Sequence, residues 1–456
     1  MAFGFFRTFF FKPHLRAWHT CATKPHRLLS QRMNLLPKTP TARMVQAMIP
    51  ALGFAFVFSQ FLRSVPAVIA PDLRTELGMS AGELSALPSA LFLGSAMMQL
   101  PSGILLDRYG PRLTVTAFLM LTGAGVVWFS LAHTPGALTA SLLVTGWGIA
   151  PTFMGIIVLI SRWAPRDRLA TATALSVGVG GTGMLFSATP FAEATAAFGW
   201  RPTLTAVGVF AFVVSLAVLL TVRDRPPGER DNSVVPESLI ATIRGLAQVL
   251  REPRLYALGS LAAVTVGSFL TFRALWVGPY LNDVYGAGLL ERGNLIFWIS
   301  LAWLASAVFI GPLDRVFDTR RGVVTIGAIA MMAWFAALAL IGGSSLTFAA
   351  GIMILLGLSS GLSSPIFAHA RSLFPDRYVG RVVTAINLFV WGGVFLIQVG
   401  TGLLIDQFPA DSNGHSPVGA YQANFVAMAV LLLIALVIYR RVADVPPSTD
   451  VEKVET

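Results

Sequence analysis

Long apolar stretches alternate with short polar gaps along most of this chain. Each stretch approaches or exceeds the roughly 20 residues that a helix needs to cross about 30 Å of hydrocarbon. Only helices and closed barrels satisfy their backbone groups in lipid, and unbroken apolar runs lack the alternation of a barrel strand. The pattern predicts an all-α membrane protein with twelve transmembrane helices. We number the stretches as spans 1 to 12: residues 44–70, 81–106, 113–133, 137–161, 169–191, 202–222, 255–280, 290–313, 322–342, 345–369, 381–404 and 421–439.

Arginine and lysine are sorted by alternate gaps. All but five of the 33 Lys and Arg residues lie in the two tails or in the gaps that follow even-numbered spans. Three of the five, Arg74, Arg201 and Arg292, accompany odd-numbered gaps, and the other two lie inside spans. Because cytoplasmic segments are enriched in basic residues, we expect both termini in the cytoplasm and the protein in the cell inner (plasma) membrane.

The net charge of +11 could indicate a nucleic-acid-binding protein. The topology explains it better, since the basic gaps lie beside anionic lipid headgroups, and we expect no nucleic-acid partner. The single cysteine, Cys21, allows no disulfide framework. No nucleophile–base set, Walker loop or zinc-spaced Cys/His set occurs, so we expect neither an enzyme nor a cofactor nor a bound metal. The expected protein is a monomer whose partners are the bilayer and a small molecule, with a coupling proton or counter-anion as a further candidate.

The longest polar interruption divides the spans six and six. Its second part, from Pro236 to Arg251, has the apolar spacing of an amphipathic helix lying on the membrane surface. The basic N-terminal segment is interpreted as a cytoplasmic tail, with an organelle leader or an over-called start as alternatives. The predicted organisation is an N-terminal tail, a first bundle, a linker, a second bundle and a C-terminal cytoplasmic tail: residues 1–43, 44–222, 223–253, 254–441 and 442–456.

The two halves repeat each other with an offset near 210 residues. Pro71-Asp72 after span 1 corresponds to Pro279-Tyr280 at the end of span 7, and Asp107-Arg108 corresponds more loosely to Asp314-Arg315. Parallel six-helix repeats related by an axis along the membrane normal place a substrate site near the midplane between them. The repeat therefore predicts two six-helix bundles around a central cavity.

The segment GILLDRYGPR, from Gly103 to Arg112, resembles the signature between helices two and three of the major facilitator superfamily. Gly199-Trp200-Arg201 and the segment Pro165 to Arg168 also resemble that family. The resemblance implies alternating access by rocking of the two bundles. It further implies that Asp107, Arg108 and Arg112 form part of a cytoplasmic gate latch, with Asp314 and Arg315 as their counterparts.

Two departures from the family's patterns bear on the substrate. No charged residue precedes Gly146-Trp147-Gly148 in span 4, where proton-coupled members usually carry an arginine. Span 5 contains a glycine run from Gly178 to Gly183 but not the pattern of drug–proton antiporters. That run matches a dinucleotide-binding fingerprint only formally, because it lies inside an apolar span, where small residues serve close helix packing. Both departures weaken the prediction of a drug exporter.

Arg63 in span 1 and Arg273 in span 7 are the basic residues inside apolar spans. Ionisable residues inside a membrane are costly and mark functional sites, although either arginine could instead extend its head to the outer headgroups. The phrase Phe61-Leu62-Arg63 resembles the helix-one arginine of organophosphate:phosphate antiporters and their anion:cation symporter relatives. We therefore expect the two arginines to bind an anion. The predicted site also includes residues near them and on span 11: Gln60, Phe56, Trp276, Tyr280, Asn387 and Trp391.

No acid lies clearly at midplane, since Glu83 has the spacing of a helix capping box with Ser80. The coupling ion therefore stays open. The leading hypothesis is a secondary or facilitative transporter of a small organic anion. A proton-coupled exporter of hydrophobic compounds, favoured by the 11% aromatic content, and a transporter-like receptor that moves no solute are the alternatives.

Overall fold

The structure is a computed structural model that describes residues 40–163, 169–224, 247–341, 343–374, 379–411 and 414–448. The chain divides into two compact units, Met1–Gln46 and Ala47–Thr456, and every contact given below lies within the second. In the described ranges the regular secondary structure is helical, with no strand. Of these helices, nine are long and apolar enough to cross a membrane, or ten if a pair bent by 44° forms one span.

All six predicted spans of the first bundle coincide with helices. The Ser80 hydroxyl accepts a hydrogen bond from Glu83 N at 3.1 Å, and the Glu83 carboxylate accepts one from Ser80 N at 2.9 Å, so the predicted capping box is confirmed. Gly110, with φ +77°, turns the chain between spans 2 and 3, a conformation that favours glycine. The helices are Pro40–Leu62, Val65–Leu77, Ala81–Met97, Gln99–Leu131, Pro135–Ile149, Pro151–Trp163, Leu169–Phe186, Thr189–Phe198 and Trp200–Thr221.

The second bundle repeats this plan from Pro253 onward. Its six predicted spans also coincide with helices, which confirms the all-α membrane architecture. Most of the predicted amphipathic helix at 236–251 lies outside the described residues. The helices are Pro253–Thr271, a π-helical turn Phe272–Trp276, Val277–Tyr285, Leu289–Ile310, Leu313–Val316, Arg320–Ile341, Leu346–Ser359, Ser363–Leu373, Val379–Ile405 and Val418–Tyr439.

The two helices that carry the buried arginines are irregular at those arginines. Span 1 is interrupted between Leu62 and Val65, so that Arg63 lies in the break. Span 7 widens into the π-helical turn that contains Arg273. Single π turns are rare inside α-helices and often accompany functional sites. Both buried arginines thus lie where the regular α-helix is interrupted.

The bundles meet closely at the membrane face where the odd-numbered gaps lie, which we call the Asp283 face; the opposite one is the Asp314 face. A Cβ added to Gly278 of span 7 would overlap the Ala67 carbonyl oxygen of span 1. The backbone N–H of Gly82 donates to an Asp406 carboxylate oxygen at 2.8 Å, joining span 2 to the end of span 11. Small residues allow helix backbones to approach closely, and here they bring the two bundles together at the Asp283 face.

Candidate substrate site

Arg63 lies at the interface between the bundles and is 6% exposed. Its Cζ is 4.4 Å from the ring centroid of Trp391 in span 11 and 5.3 Å from that of Phe92 in span 2. The two rings stack on each other with centroids 5.7 Å apart and an interplanar angle of 15°. A guanidinium over an aromatic face is attracted by the ring quadrupole, more strongly where water is excluded. This contact brings together two predicted site residues, Arg63 and Trp391, from different bundles.

The Arg63 head is incompletely hydrogen-bonded. Nε and Nη1 are buried and have no hydrogen-bond partner among the described residues. An aromatic face attracts the cation but accepts no strong N–H bond, so these donors stay available. Arginine presents its N–H groups as a planar fork that matches carboxylate and phosphate oxygens. The site can therefore bind an anion edge-on while the rings hold the guanidinium plane.

Arg273, by contrast, donates a hydrogen bond to a neutral group from each of its three side-chain nitrogens and is 1% exposed. Nε donates to Ser300 Oγ at 2.8 Å in its own bundle. Nη1 donates to Ser64 Oγ at 2.7 Å and Nη2 to the Met184 carbonyl oxygen at 3.3 Å, both in the first bundle. Sequence reasoning expected an anionic or strong acceptor partner for this arginine. The structure supplies hydroxyls and a carbonyl, and the arginine bridges the bundles.

The remaining predicted substrate residues separate into two groups. Gln60 and Asn387 are half-buried, each within one helical turn of Arg63 or Trp391. Phe56 instead stacks on Phe153 within the first bundle, with centroids 5.1 Å apart. Phe56 lies seven residues, about two helical turns, before Arg63, at a level of the bundle where Phe153 is its neighbour.

Trp276 and Tyr280 are also directed into their own bundle. Trp276 Nε1 donates to Thr401 Oγ1 at 2.9 Å, and its ring packs edge-on against Tyr421. The Tyr280 ring packs against Tyr421 and Phe425, both at 5.2 Å between centroids. These two residues thus belong to an aromatic core of spans 7 and 12, and the structure does not bring them to Arg63.

Two of the predicted latch residues, Arg112 and Asp314, have partners within their own bundle or directly next to it. Arg112 N donates to Asp224 Oδ1 at 2.8 Å, and its Nε donates to the Leu219 carbonyl oxygen at 2.8 Å. Asp314 is buried, 3.9 Å from Arg320 Nε. Arg108 and Arg315 are exposed, and the Asp107 side chain lies outside the described residues.

An ion pair that joins the two bundles at the Asp283 face was not predicted from the sequence. Arg74 Nη1, just after span 1, lies 2.8 Å from Asp283 Oδ2, just after span 7, and Arg74 Nη2 donates to Ser416 Oγ at 3.1 Å. The same Asp283 oxygen accepts bonds from Ser416 N at 2.9 Å and from the Tyr421 hydroxyl at 2.7 Å. The sequence marks Arg74 as one of three basic residues that accompany odd-numbered gaps. It gives no sign that Asp283, 209 positions away, is the partner of Arg74.

Three comparisons with known proteins agree with this architecture. The hexuronate transporter of Escherichia coli K12 is 23% identical over 410 residues, which cover 85% of this chain and 92% of the relative. The 4-hydroxybenzoate transporter PcaK of Pseudomonas aeruginosa is 25% identical over 375 residues, covering 79% and 73%. The solved structure of a bacterial homologue of the human lysosomal transporter Spinster, inward-facing and unoccupied, superposes with a TM-score of 0.69 at 18% identity, covering 88% and 96%.

The family model "Major Facilitator Superfamily" matches residues 52–398, from span 1 almost to the end of span 11. That range contains both buried arginines and most of the two bundles. Members of this family are transporters and not enzymes, which confirms the prediction that this chain is not an enzyme. The chain is a multi-pass membrane protein that belongs to the Major Facilitator Superfamily.

Proposed function

We propose that the chain is a secondary transporter of a small organic anion, bound between the bundles by Arg63. One observation carries this proposal: a buried guanidinium at the bundle interface keeps two nitrogen atoms, Nε and Nη1, without hydrogen-bond partners in the described structure. Burying such a charge is costly, and an anion would offset that cost. The names of similar proteins, transporters of hexuronate and of 4-hydroxybenzoate, agree with an organic acid as cargo.

The stack of Arg63, Phe92 and Trp391 also supports a mechanism of alternating access. Phe92 belongs to the first bundle and Trp391 to the second, so rocking of the bundles would change the distance between the rings and the guanidinium. A bound anion and its carbon skeleton would then be exposed first to one membrane face and then to the other. With both termini cytoplasmic, the present state is the one closed to the outside.

The orientation has its own test. Reporter domains fused after Arg223 and after Arg441 should both be cytoplasmic in an inner-membrane protein with this topology. An external location for either fusion would contradict the proposed orientation.

The substrate site is tested with purified protein in proteoliposomes and a panel of radiolabelled organic acids. Arg63→Ala and Arg63→Lys should both lose affinity for the transported acid at least tenfold, because lysine cannot reproduce the two-donor fork. Loss of one buried charged contact costs about 2–5 kcal/mol. Arg254→Ala, at an exposed arginine at the start of helix Pro253–Thr271, is the matched control and should behave as wild type.

Wild-type affinity in Arg63→Ala would contradict the proposal. So would a transported compound that proves to be neutral or cationic. Binding of the acid without uptake into vesicles would instead favour a receptor.

A further inference from the structure

Gln398 of span 11 is a second buried polar group without partners. Its side chain is 0% exposed, and neither Nε2 nor Oε1 has a hydrogen-bond partner among the described residues. A buried amide that makes none of its bonds carries an unrecovered desolvation cost. Like the Arg63 head, it has hydrogen-bonding capacity that the protein itself does not use.

The position of Gln398 connects it to the Arg63 site. It follows Trp391 by seven residues, about two helical turns, and therefore lies on nearly the same helix face. On that face Trp391 stacks on Phe92 of span 2, and a Cβ added to Gly402 would overlap the Ser85 hydroxyl of span 2. Gln398 lies between these two contacts along span 11. It is thus at the bundle interface, on the Asp283 side of the arginine and the two rings.

Another buried amide serves as a comparison. Asn424 of span 12 is also 0% exposed and without partners in the described structure. Its neighbours in sequence, Tyr421 and Phe425, pack on Trp276 and Phe272 of the same bundle. Asn424 is therefore inside the second bundle, away from the interface.

We infer that Gln398 is a second substrate contact, which hydrogen-bonds a hydroxyl group of the anion that Arg63 holds; this rests on the proposed function. A hydroxyl can accept from Nε2 and donate to Oε1, so one group would satisfy both halves of the amide. An anion with an apolar far end would leave both unpaired. The rings of Phe92 and Trp391, which contact the Arg63 guanidinium, would pack on the carbon skeleton. The preferred cargo is then a hydroxylated organic acid.

The test uses matched pairs of acids that differ in hydroxylation: 4-hydroxybenzoate with benzoate, and gluconate with hexanoate. Wild-type protein in proteoliposomes should bind the hydroxylated member of at least one pair at least tenfold more tightly, because a site built to bond a hydroxyl rejects the analogue without it. Gln398→Leu should abolish that preference while keeping affinity for the simple acid within threefold. Asn424→Leu is the control and should keep the preference.

A stability measurement separates a binding role from a purely structural one. Without ligand, Gln398→Leu should unfold at the same or a higher temperature than wild type, because it removes two unpaired polar groups from an apolar site. A hydroxylated acid should raise the unfolding temperature of wild type more than that of Gln398→Leu.

Each contrary result is decisive. This inference is overturned if wild type shows no preference for the hydroxylated acid, if the preference survives in Gln398→Leu, or if Asn424→Leu also removes it. None of these results would contradict anion transport. A lower unfolding temperature of ligand-free Gln398→Leu would show that the amide bonds internally, and would also overturn it. If no acid binds more tightly to wild type than to Arg63→Ala, the proposed function fails and the inference fails with it.

Discussion

Arg273 of the second bundle donates a 2.7 Å hydrogen bond from Nη1 to the Ser64 hydroxyl of the first. Ser64 follows Arg63 directly, so the two buried arginines meet at the same break in span 1. If the bundles separate at the Asp283 face as proposed, the bonds from Arg273 to Ser64 and Met184 must break. A guanidinium released in this way needs a new acceptor, and the proposed anion would supply one. Ser64 thus accepts a hydrogen bond from Arg273 Nη1 while the bundles are closed at the Asp283 face. An anion could accept the same bond when they are open.

Ser64→Ala should shift the population away from the state closed at the Asp283 face. The change leaves a buried N–H of Arg273 unpaired in that state alone, at a cost of about 1–3 kcal/mol. The readout is the labelling rate of Ala70→Cys, a buried position of span 1 near that face, in a Cys21→Ser background. We expect faster labelling than in the parent. Ser59→Ala, at another buried serine of span 1, is the control, and equal rates in both would contradict the role of Ser64.

The Arg74–Asp283 pair should act as a lock between the bundles. Arg74→Gln and Asp283→Asn should each accelerate labelling of Ala70→Cys. When the labelling rates are converted to free energies of opening, the change in the double variant should differ from the sum of the two single changes by roughly 0.5–3 kcal/mol, as for other directly contacting pairs. The control pair is Arg201 with Glu76, also 2.8 Å apart but inside the first bundle. Glu76→Gln should leave the labelling unchanged. Additivity of Arg74→Gln and Asp283→Asn would show that the pair does not couple the bundles.

Close packing at Gly278 should be specific to the closed state. A methyl group at this position would overlap the Ala67 backbone oxygen, which cannot move as a side-chain end can. Gly278→Ala should therefore favour opening at the Asp283 face and slow the complete transport cycle, measured as uptake and as Ala70→Cys labelling. Gly400→Ala is the matched control, since a Cβ there meets nothing within 4 Å. A Gly278→Ala transporter with wild-type uptake and labelling would show that the contact is not limiting.

Asp107 stays a prediction for the gate at the opposite face. It is the acid in the connection between spans 2 and 3. It should pair across the bundles when they close at the Asp314 face. Asp107→Asn should reduce the initial transport rate while leaving expression near normal. Initial rates equal to those of wild type would remove the latch role.

Asp444 should make the region after span 12 sensitive to acid. Burial raises the pKa of this carboxyl, but hydrogen bonds from Thr319 and from Arg321 N outweigh it, so the pKa lies below its usual value. A lowered folded-state pKa stabilises the fold above the unfolded-state pKa, and that contribution is lost as the pH falls through the folded-state pKa. Asp444→Asn should lower the unfolding temperature at neutral pH and flatten its decline in acid. Glu291→Gln, at an exposed acid, should retain the wild-type pH profile.

The bundle architecture follows from local sequence. A segment of about 20 apolar residues must cross the bilayer as a helix, whatever its neighbours, because unsatisfied backbone groups are too costly in lipid. The same reasoning made Arg63 and Arg273 conspicuous, since a charge inside a span is costly at any rotation of the helix. The capping box at Ser80 and Glu83 is likewise local, with both partners within one turn.

Tertiary structure decided what the two arginines touch. Phe92 and Trp391 are almost 300 positions apart, and no periodicity within span 2 or span 11 relates them to Arg63. Arg63 lies in the break of span 1 and Arg273 in the π turn of span 7, two irregularities that the apolar pattern did not predict. Partners such as Ser64 for Arg273, and Asp283 for Arg74, exist only because the bundles meet at one face. Whether a segment crosses the membrane depends on its own apolar residues and the lipid around them. These pairings depend instead on how the two bundles pack against each other.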